Sequence, residues 1–161
     1  MTDNPQLQLH QHFMREALRI AYEAADKGEV PVGAIVVQNN EIIASAHNMV
    51  ESLGDPTAHA EILAIRKACE IVQSKYLLKC TLYVTLEPCP MCSGALVWSK
   101  LSRVVYATID HTAGGCNSLF NICSNRRLNH RIEVLNGILE DECTALLTSW
   151  FSAKRNRDQE L

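Results

Sequence analysis

Four residues in two short segments have the types and spacing for metal-assisted hydrolysis. They are His59 and Glu61 in His59-Ala60-Glu61, and Cys89 and Cys92 in Pro88-Cys89-Pro90-Met91-Cys92. Zinc accepts imidazole nitrogen and thiolate sulfur, and a site with three protein ligands leaves a fourth tetrahedral position for a water that can react. A closed structural site would need a fourth protein ligand. Two thiolates and a neutral imidazole cancel the charge of the ion, which can lower the pKa of its water toward ~7. Glu61 would stand near the metal without being needed to hold it, and is free to move protons.

Neither motif is informative alone. A random chain of this composition shows both, with a proline directly before the first cysteine, about 0.004 times, so the combination is the signal. The Cys-x-x-Cys by itself also fits a thioredoxin-like redox pair, but redox chemistry gives no use to a His-x-Glu on a separate element. The chemistry that uses all four groups is hydrolytic deamination of an amino-substituted aromatic ring. Glu61 would take the proton of the water, pass it to a ring nitrogen and later protonate the departing amine.

The elements that must position these groups follow from periodicity. Two positions apart inside a helix, His59 and Glu61 would point about 200° from each other. At a helix start both can reach past the end, and Asp55-Pro56 reads as an N-cap followed by a first-turn proline. The helix so marked runs from Ala58 to about Val72. Cys89 and Cys92, three apart, share one face of a short helix from Pro90 to about Trp98, whose positive N-terminal end favours thiolates. Around these, Phe13, Ala17, Leu18, Ala21 and Ala24 or Ala25 recur at helical spacing, with Gly28 as a stop. Val32 to Val37 and Ile42 to Ala46 read as a hairpin about Asn39-Asn40. Thr81 to Leu86, Arg103 to Ala107 and Arg131 to Leu135 read as strands. Between Asp110 and Leu128 the chain is rich in Gly, Asn and Ser, with one helical turn about Ser118 to Ile122. A closing helix from Glu140 to about Arg155 carries the stripe Cys143, Leu146, Leu147, Trp150 and Phe151. The order predicts a mixed sheet covered by helices on both faces.

The 161 residues fit one domain, residues 1–161, without linker or repeat. The start, Met1-Thr2-Asp3-Asn4-Pro5-Gln6, lacks the features of a secretory signal, and no apolar run approaches a membrane span. A cytoplasmic protein with no membrane partner is expected. In a reducing compartment Cys69, Cys80, Cys116, Cys123 and Cys143 read as small apolar fillers. His111 and His130 read as surface or hydrogen-bonded loop residues. A net charge of −3 does not advertise a nucleic-acid partner, although it says nothing of where the charges sit.

Through these motifs the chain resembles the zinc-dependent cytidine deaminase superfamily, and within it most closely the bacterial tRNA-specific adenosine deaminases. The likeness extends over Glu29 to Ala34, Asn48, Asp55 to Glu61, Thr81 to Cys92, Arg103 to Tyr106, Asn129-His130-Arg131 and Gly137-Ile138-Leu139. It implies an α/β fold, a three-layer α/β/α cytidine deaminase-like arrangement with a five-stranded mixed sheet. It also implies one Zn2+ per subunit on His59, Cys89 and Cys92, with Glu61 as proton shuttle. The reaction implied is hydrolysis of the wobble adenosine of a tRNA anticodon loop to inosine, the zinc-activated hydroxide attacking C6. By the same resemblance Asn48 would hydrogen-bond the purine, Val30 would line the base pocket and the N–H of Ala60 would help hold the ring. Asp110 would contact the flipped nucleotide, Phe151 would pack near the substrate, and the protein would be a homodimer that binds the tRNA anticodon arm.

Each softer assignment has a plain structural alternative: a turn residue for Asn48, core packing for Val30, a loop cap for Asp110, a helix stripe for Phe151. The chain also departs from the family, with Thr112-Ala113-Gly114 in place of a Lys-Thr-Gly-like turn and Asn117-Ser118-Leu119 in place of Gly-Ser-Leu. Lys154, Arg155 and Arg157 form a short basic cluster that suits phosphate or simply the helix end. A deaminase of a free base or nucleoside, of the guanine or cytosine deaminase kind, is the competing enzyme reading. A catalytically silent zinc domain is the competing non-enzyme reading, and it leaves Glu61 without a use.

Overall fold

The computed structural model describes residues 4–160; the polar start at Met1, Thr2 and Asp3 lies outside them, as does Leu161. Five strands form one sheet in the order β2-β1-β3-β4-β5. β1 (Gly33–Gln38) and β2 (Glu41–His47) are an antiparallel hairpin. Its two turn residues, Asn39 and Asn40, both adopt positive φ, 52° and 60°, the conformation that matches the twist of tightly joined strands. β1 also runs antiparallel to β3 (Cys80–Leu86), whereas β3, β4 (Arg103–Thr108) and β5 (Glu133–Asn136) are parallel. The expected mixed sheet is thus observed, with the last strand starting two residues later than its pattern suggested.

Helices cover both faces because the central strands are apolar on both. Ala34, Val36, Leu82, Val84, Val104 and Tyr106 point one way, into a core shared with Ala60, Ala64 and Ala68 of α3 (Ala60–Val72) and Leu96 and Val97 of α4 (Pro90–Trp98). Ile35, Val37, Tyr83, Val105 and Ala107 point the other way, against Phe13, Met14, Ala17 and Ile20 of α1 (Pro5–Asp26) and Cys143 of α5 (Glu140–Gln159). Strand alternation alone therefore sorts the side chains into two cores. A Cβ on Gly33 would sit 2.1 Å from the carbonyl oxygen of Ala17, so α1 lies against β1 as closely as a bare backbone allows.

Several boundaries differ from the sequence reading. α1 begins a full two turns earlier, because the Asn4 side chain accepts from the N–H groups of Gln6 and Leu7 and Pro5 fills the first turn. The Asp55-Pro56 pair does not start α3: Asp55 accepts from the Thr57 N–H and hydroxyl in a local turn, and the helix opens at Ala60 with His59 as its cap residue. A four-residue helix, α2 (Val50–Leu53), precedes that turn and was not anticipated. No helical turn forms at Ser118–Ile122, where the Phe120 and Ile122 N–H groups donate to Gly114 and Gly115, while Asn117 and Ser118 donate to the buried carboxylate of Glu87. On α5, Cys143 and Leu147 are buried but Phe151 is 41% exposed, so the apolar stripe ends before it. Among the described residues, no helix is long and apolar enough to cross a membrane.

Candidate metal centre

His59 and the two cysteines meet because the chain switches from strand or loop to helix at both places on one side of the sheet. His59 holds an extended backbone at the mouth of α3, φ −71° and ψ 151°, and its side chain makes no capping bond to its own helix. Cys89 does the same at the mouth of α4, φ −68° and ψ 172°, with Pro90 in the first turn and Cys92 one turn on. The parallel β3–α4–β4 unit and the neighbouring α3 thereby aim two helix N-termini at one point, where their dipoles favour anionic sulfur.

Nδ1 of His59 lies 3.6 Å from Sγ of Cys89 and 3.5 Å from Sγ of Cys92, and the three atoms are all within 4.8 Å of one another. Tetrahedral zinc with ordinary Zn–N and Zn–S bond lengths requires an N···S edge of about 3.6 Å, so the donor set fits the ion in type and in spacing. The fold positions the ring through Nδ1, leaving Nε2 outside the cluster.

Ionisation in the cluster is arranged for metal. Cys89 is brought down to about 4, chiefly by its hydrogen bond from Cys92 and then, against burial, by His59. Cys92 is pushed up, first by that same hydrogen bond and then by burial; a divalent cation bound here would displace the thiol proton. The His59 ring is raised, mainly by its bond with Cys89.

Glu61 occupies the first turn of α3 and is buried. Burial pushes its carboxyl up to about 7. It therefore lies in the range where a carboxyl can both accept and return a proton near neutrality.

The metal cluster and Glu61 open into a cavity of about 290 Å³. Its walls include Val30, Asn48, Ala60 and Asp110, four of the five residues the sequence proposed for substrate. Asn48 carries the sharpest signal: its side chain is buried, yet among the described residues Oδ1 has no hydrogen-bond partner. The fifth, Phe151, does not reach this cavity and lies instead along an adjoining groove that shares Val30, Leu86 and Asp110 with it and continues to Arg155. Sequence reasoning passed over Val32, Val50, Glu51, Leu86, Glu87 and Ala113, which also line the cavity. Of these only Glu87, a charged residue two positions before Cys89 in an otherwise apolar strand end, carried a signal that could have been read.

The remaining cysteines stay out of the metal cluster. Cys116 and Cys123 face each other behind α4 with their sulfurs 3.0 Å apart, and Cys116 also meets Ser93. His130 bonds the carbonyl of Leu101 through Nε2, as a loop residue would.

A three-layer α/β/α sandwich with a His-Cys-Cys cluster and a buried carboxylate beside an open pocket is the architecture of a zinc-dependent deaminase. Residues 7–108 match the family model of the cytidine and deoxycytidylate deaminase zinc-binding region, and the chain belongs to that family. It is 52% identical over 146 residues to the tRNA-specific adenosine deaminase of Aquifex aeolicus (strain VF5), covering 91% of this chain and 96% of that protein. It is similar, with a TM-score of 0.81 and 39% identity, to a solved structure from work on A-to-I editing by tRNA:A34 deaminases at the wobble position of transfer RNA, covering 84% of this chain and 99% of that one. A guanine deaminase from Bacillus subtilis is 43% identical at a TM-score of 0.60, but over only 62% of this chain and 64% of its own.

Proposed function

We propose that this protein hydrolyses the 6-amino group of the wobble adenosine in a tRNA anticodon loop, giving inosine and ammonia. The observation that carries the reading is the open cavity lined together by His59 and Cys89 of the metal cluster, by Glu61 and by Asn48, whose Oδ1 has no hydrogen-bond partner among the described residues. The near full-length similarity to tRNA-specific adenosine deaminases supports adenosine in tRNA as the substrate within it.

His59, Cys89 and Cys92 would hold zinc, which when bound would supply Lewis-acid activation of a water nucleophile. The protein's own groups do the rest. Glu61 takes a proton from that water as its oxygen adds to C6 and delivers it to N1, so that the ring carbon becomes tetrahedral without a separated charge. Glu61 then transfers the second proton to the exocyclic nitrogen, the C6–N6 bond breaks, and ammonia leaves as the C6 carbonyl forms. The Asn48 carboxamide hydrogen-bonds the purine edge and fixes C6 over the nucleophile, while Val30 packs on the base and the Ala60 N–H, at the open end of α3, points to the reacting edge. Only a nucleotide extruded from its stack can enter such a cavity, which is satisfied in an anticodon loop.

Asp110, Phe151 and Arg155 border the groove leaving the cavity and are assigned to the flanking nucleotides, with Lys154 and Arg157 beside them on α5. A cytoplasmic homodimer that contacts the anticodon arm from both subunits completes the reading, and sedimentation of the zinc-loaded protein tests the dimer.

The similarity to a guanine deaminase favours a second reading, a free-base deaminase using the same four groups. One assay separates them: ammonia release with an anticodon stem-loop RNA beside guanine, adenine and cytosine. Inosine at the wobble position with inert free bases is the result expected; turnover of guanine with inert RNA would replace the first reading with the second.

A further inference from the structure

Glu87 is a carboxylate that the chemistry above does not use. It is 2% exposed, and no ion pair engages it among the described residues. All its partners come from one segment: Oε2 accepts from the Asp110 N–H at 3.0 Å, and Oε1 from the Asn117 and Ser118 N–H groups at 2.9 and 3.1 Å. The segment bends around this anchor. Gly114 and the Ser118 hydroxyl both donate to the Asp110 carbonyl, and a Cβ on Gly114 would come within 2.4 Å of Glu87 Oε2. The Gly115 N–H donates to Pro88, which binds the same segment to the metal-bearing strand end. Asp110 and Ala113, on this segment, form one wall of the cavity.

A buried carboxylate is costly unless its oxygens are satisfied by hydrogen bonds. Here three amides of a segment without regular secondary structure do so, and the dependence is mutual, because those amides have no strand or helix to bond to. We propose that Glu87 is a positioning residue for substrate: it fixes the Asp110–Ser118 segment as a rigid wall of the base cavity, linking the wall to the chain segment that carries Cys89. This rests on the reading that the substrate base occupies that cavity.

The test uses full-length, zinc-loaded protein and two substitutions. Glu87→Gln keeps the volume and part of the acceptor set, whereas Glu87→Ala removes all three bonds. Amide hydrogen exchange at Asp110, Asn117 and Ser118 should accelerate in Glu87→Gln by about tenfold and further in Glu87→Ala. KM for the anticodon stem-loop should rise by about tenfold in Glu87→Gln, with kcat changed less than about threefold and one zinc retained. Should Glu87→Ala fail to fold, Glu87→Gln carries the test alone. Unchanged exchange and KM would overturn the proposal, as would loss of zinc and kcat at constant KM, since Glu87 would then act on the metal segment. Wild-type protein inert on RNA would sink the substrate reading instead, while the exchange measurement would still report on the wall.

Discussion

Nδ1 of His59 and Sγ of Cys92 lie 3.5 Å apart across a separation of 33 residues, each at the open end of its own helix. Neither helix alone has a site; the sheet makes one by setting α3 and α4 side by side. The ion therefore ties together two elements that the folded chain must bring into register, and its binding energy is part of the stability of the fold.

Removal of zinc by a chelator should lower the thermal midpoint of the protein by about 10 °C, the scale expected when a ligand bound well above its dissociation constant is lost from a domain of this size. Calorimetry with and without chelator measures it, and re-addition of zinc should restore the midpoint. Cys92→Ser should bind less than one equivalent of zinc by elemental analysis. A midpoint indifferent to complete metal loss would contradict the linkage.

Glu61→Gln should retain one zinc per chain and lose turnover by about 10²–10⁴ fold, the range of general acid–base catalysis. Single-turnover deamination of an anticodon stem-loop provides the rate. Retention of more than a tenth of wild-type activity would remove Glu61 from the proton path and reopen the reading of a silent zinc domain.

The Asn48 side chain gives a prediction that separates stability from activity. Its buried Oδ1 has no partner among the described residues, and a buried acceptor left so costs about 1–3 kcal/mol in general. Asn48→Ala should thus cost little stability or none, while kcat/KM on the RNA falls by about tenfold or more. A variant that loses several kcal/mol of stability in urea titration, with kcat/KM intact, would make Asn48 a structural residue.

Glu29 offers a pH dependence. It is buried, and its carboxylate accepts from the Ser52 hydroxyl and N–H, both at 2.6 Å, and from the Glu51 N–H at 3.1 Å, which fastens α2 to the rim of the cavity. Burial works against the charge, but the bonds from Ser52 and Glu51 outweigh it and hold the carboxyl below its usual 4.5. The unfolded chain therefore takes up the proton first, so the stabilisation is complete above about pH 4.5 and fades as the pH falls through the lower folded value. Urea midpoints of the wild type should exceed those of Glu29→Gln at pH 7, and the gap should narrow below pH 4.5. A gap constant over that window would show that the charge is not what matters.

The grouping of His59, Cys89 and Cys92, the placement of Glu61 beside them, the hairpin at Asn39-Asn40 and both covering layers were legible because each rests on local spacing: periods of two and of about three and a half, and motifs within a few residues. The misplacements share a different cause. Asp55 has the right chemistry to cap a helix, but its carboxylate is taken by Thr57, and the true helix start at His59 has no polar cap to announce it. The Ser118–Ile122 turn gave way to partners further back in the chain: the Ile122 N–H, which a helical turn would give to Ser118, goes to the Gly115 carbonyl, and the Phe120 N–H to Gly114. Phe151 follows helical spacing, yet it is 41% exposed and takes no part in the core that Cys143 joins. Competition from partners distant in sequence is not encoded in a window of residues.

A side chain at position 115 would have nowhere to go: its first carbon would stand 2.7 Å from the Pro90 nitrogen and 2.8 Å from the Cys89 carbonyl. The stretch between Thr112-Ala113 and Asn117, on whose flanks the sequence reading placed departures from the family pattern, is thus stitched at its centre to the backbone of Cys89. A loop grafted here from a relative would have to carry glycine at that point; any bulkier residue would push against the backbone of Cys89 and displace a sulfur of the metal cluster.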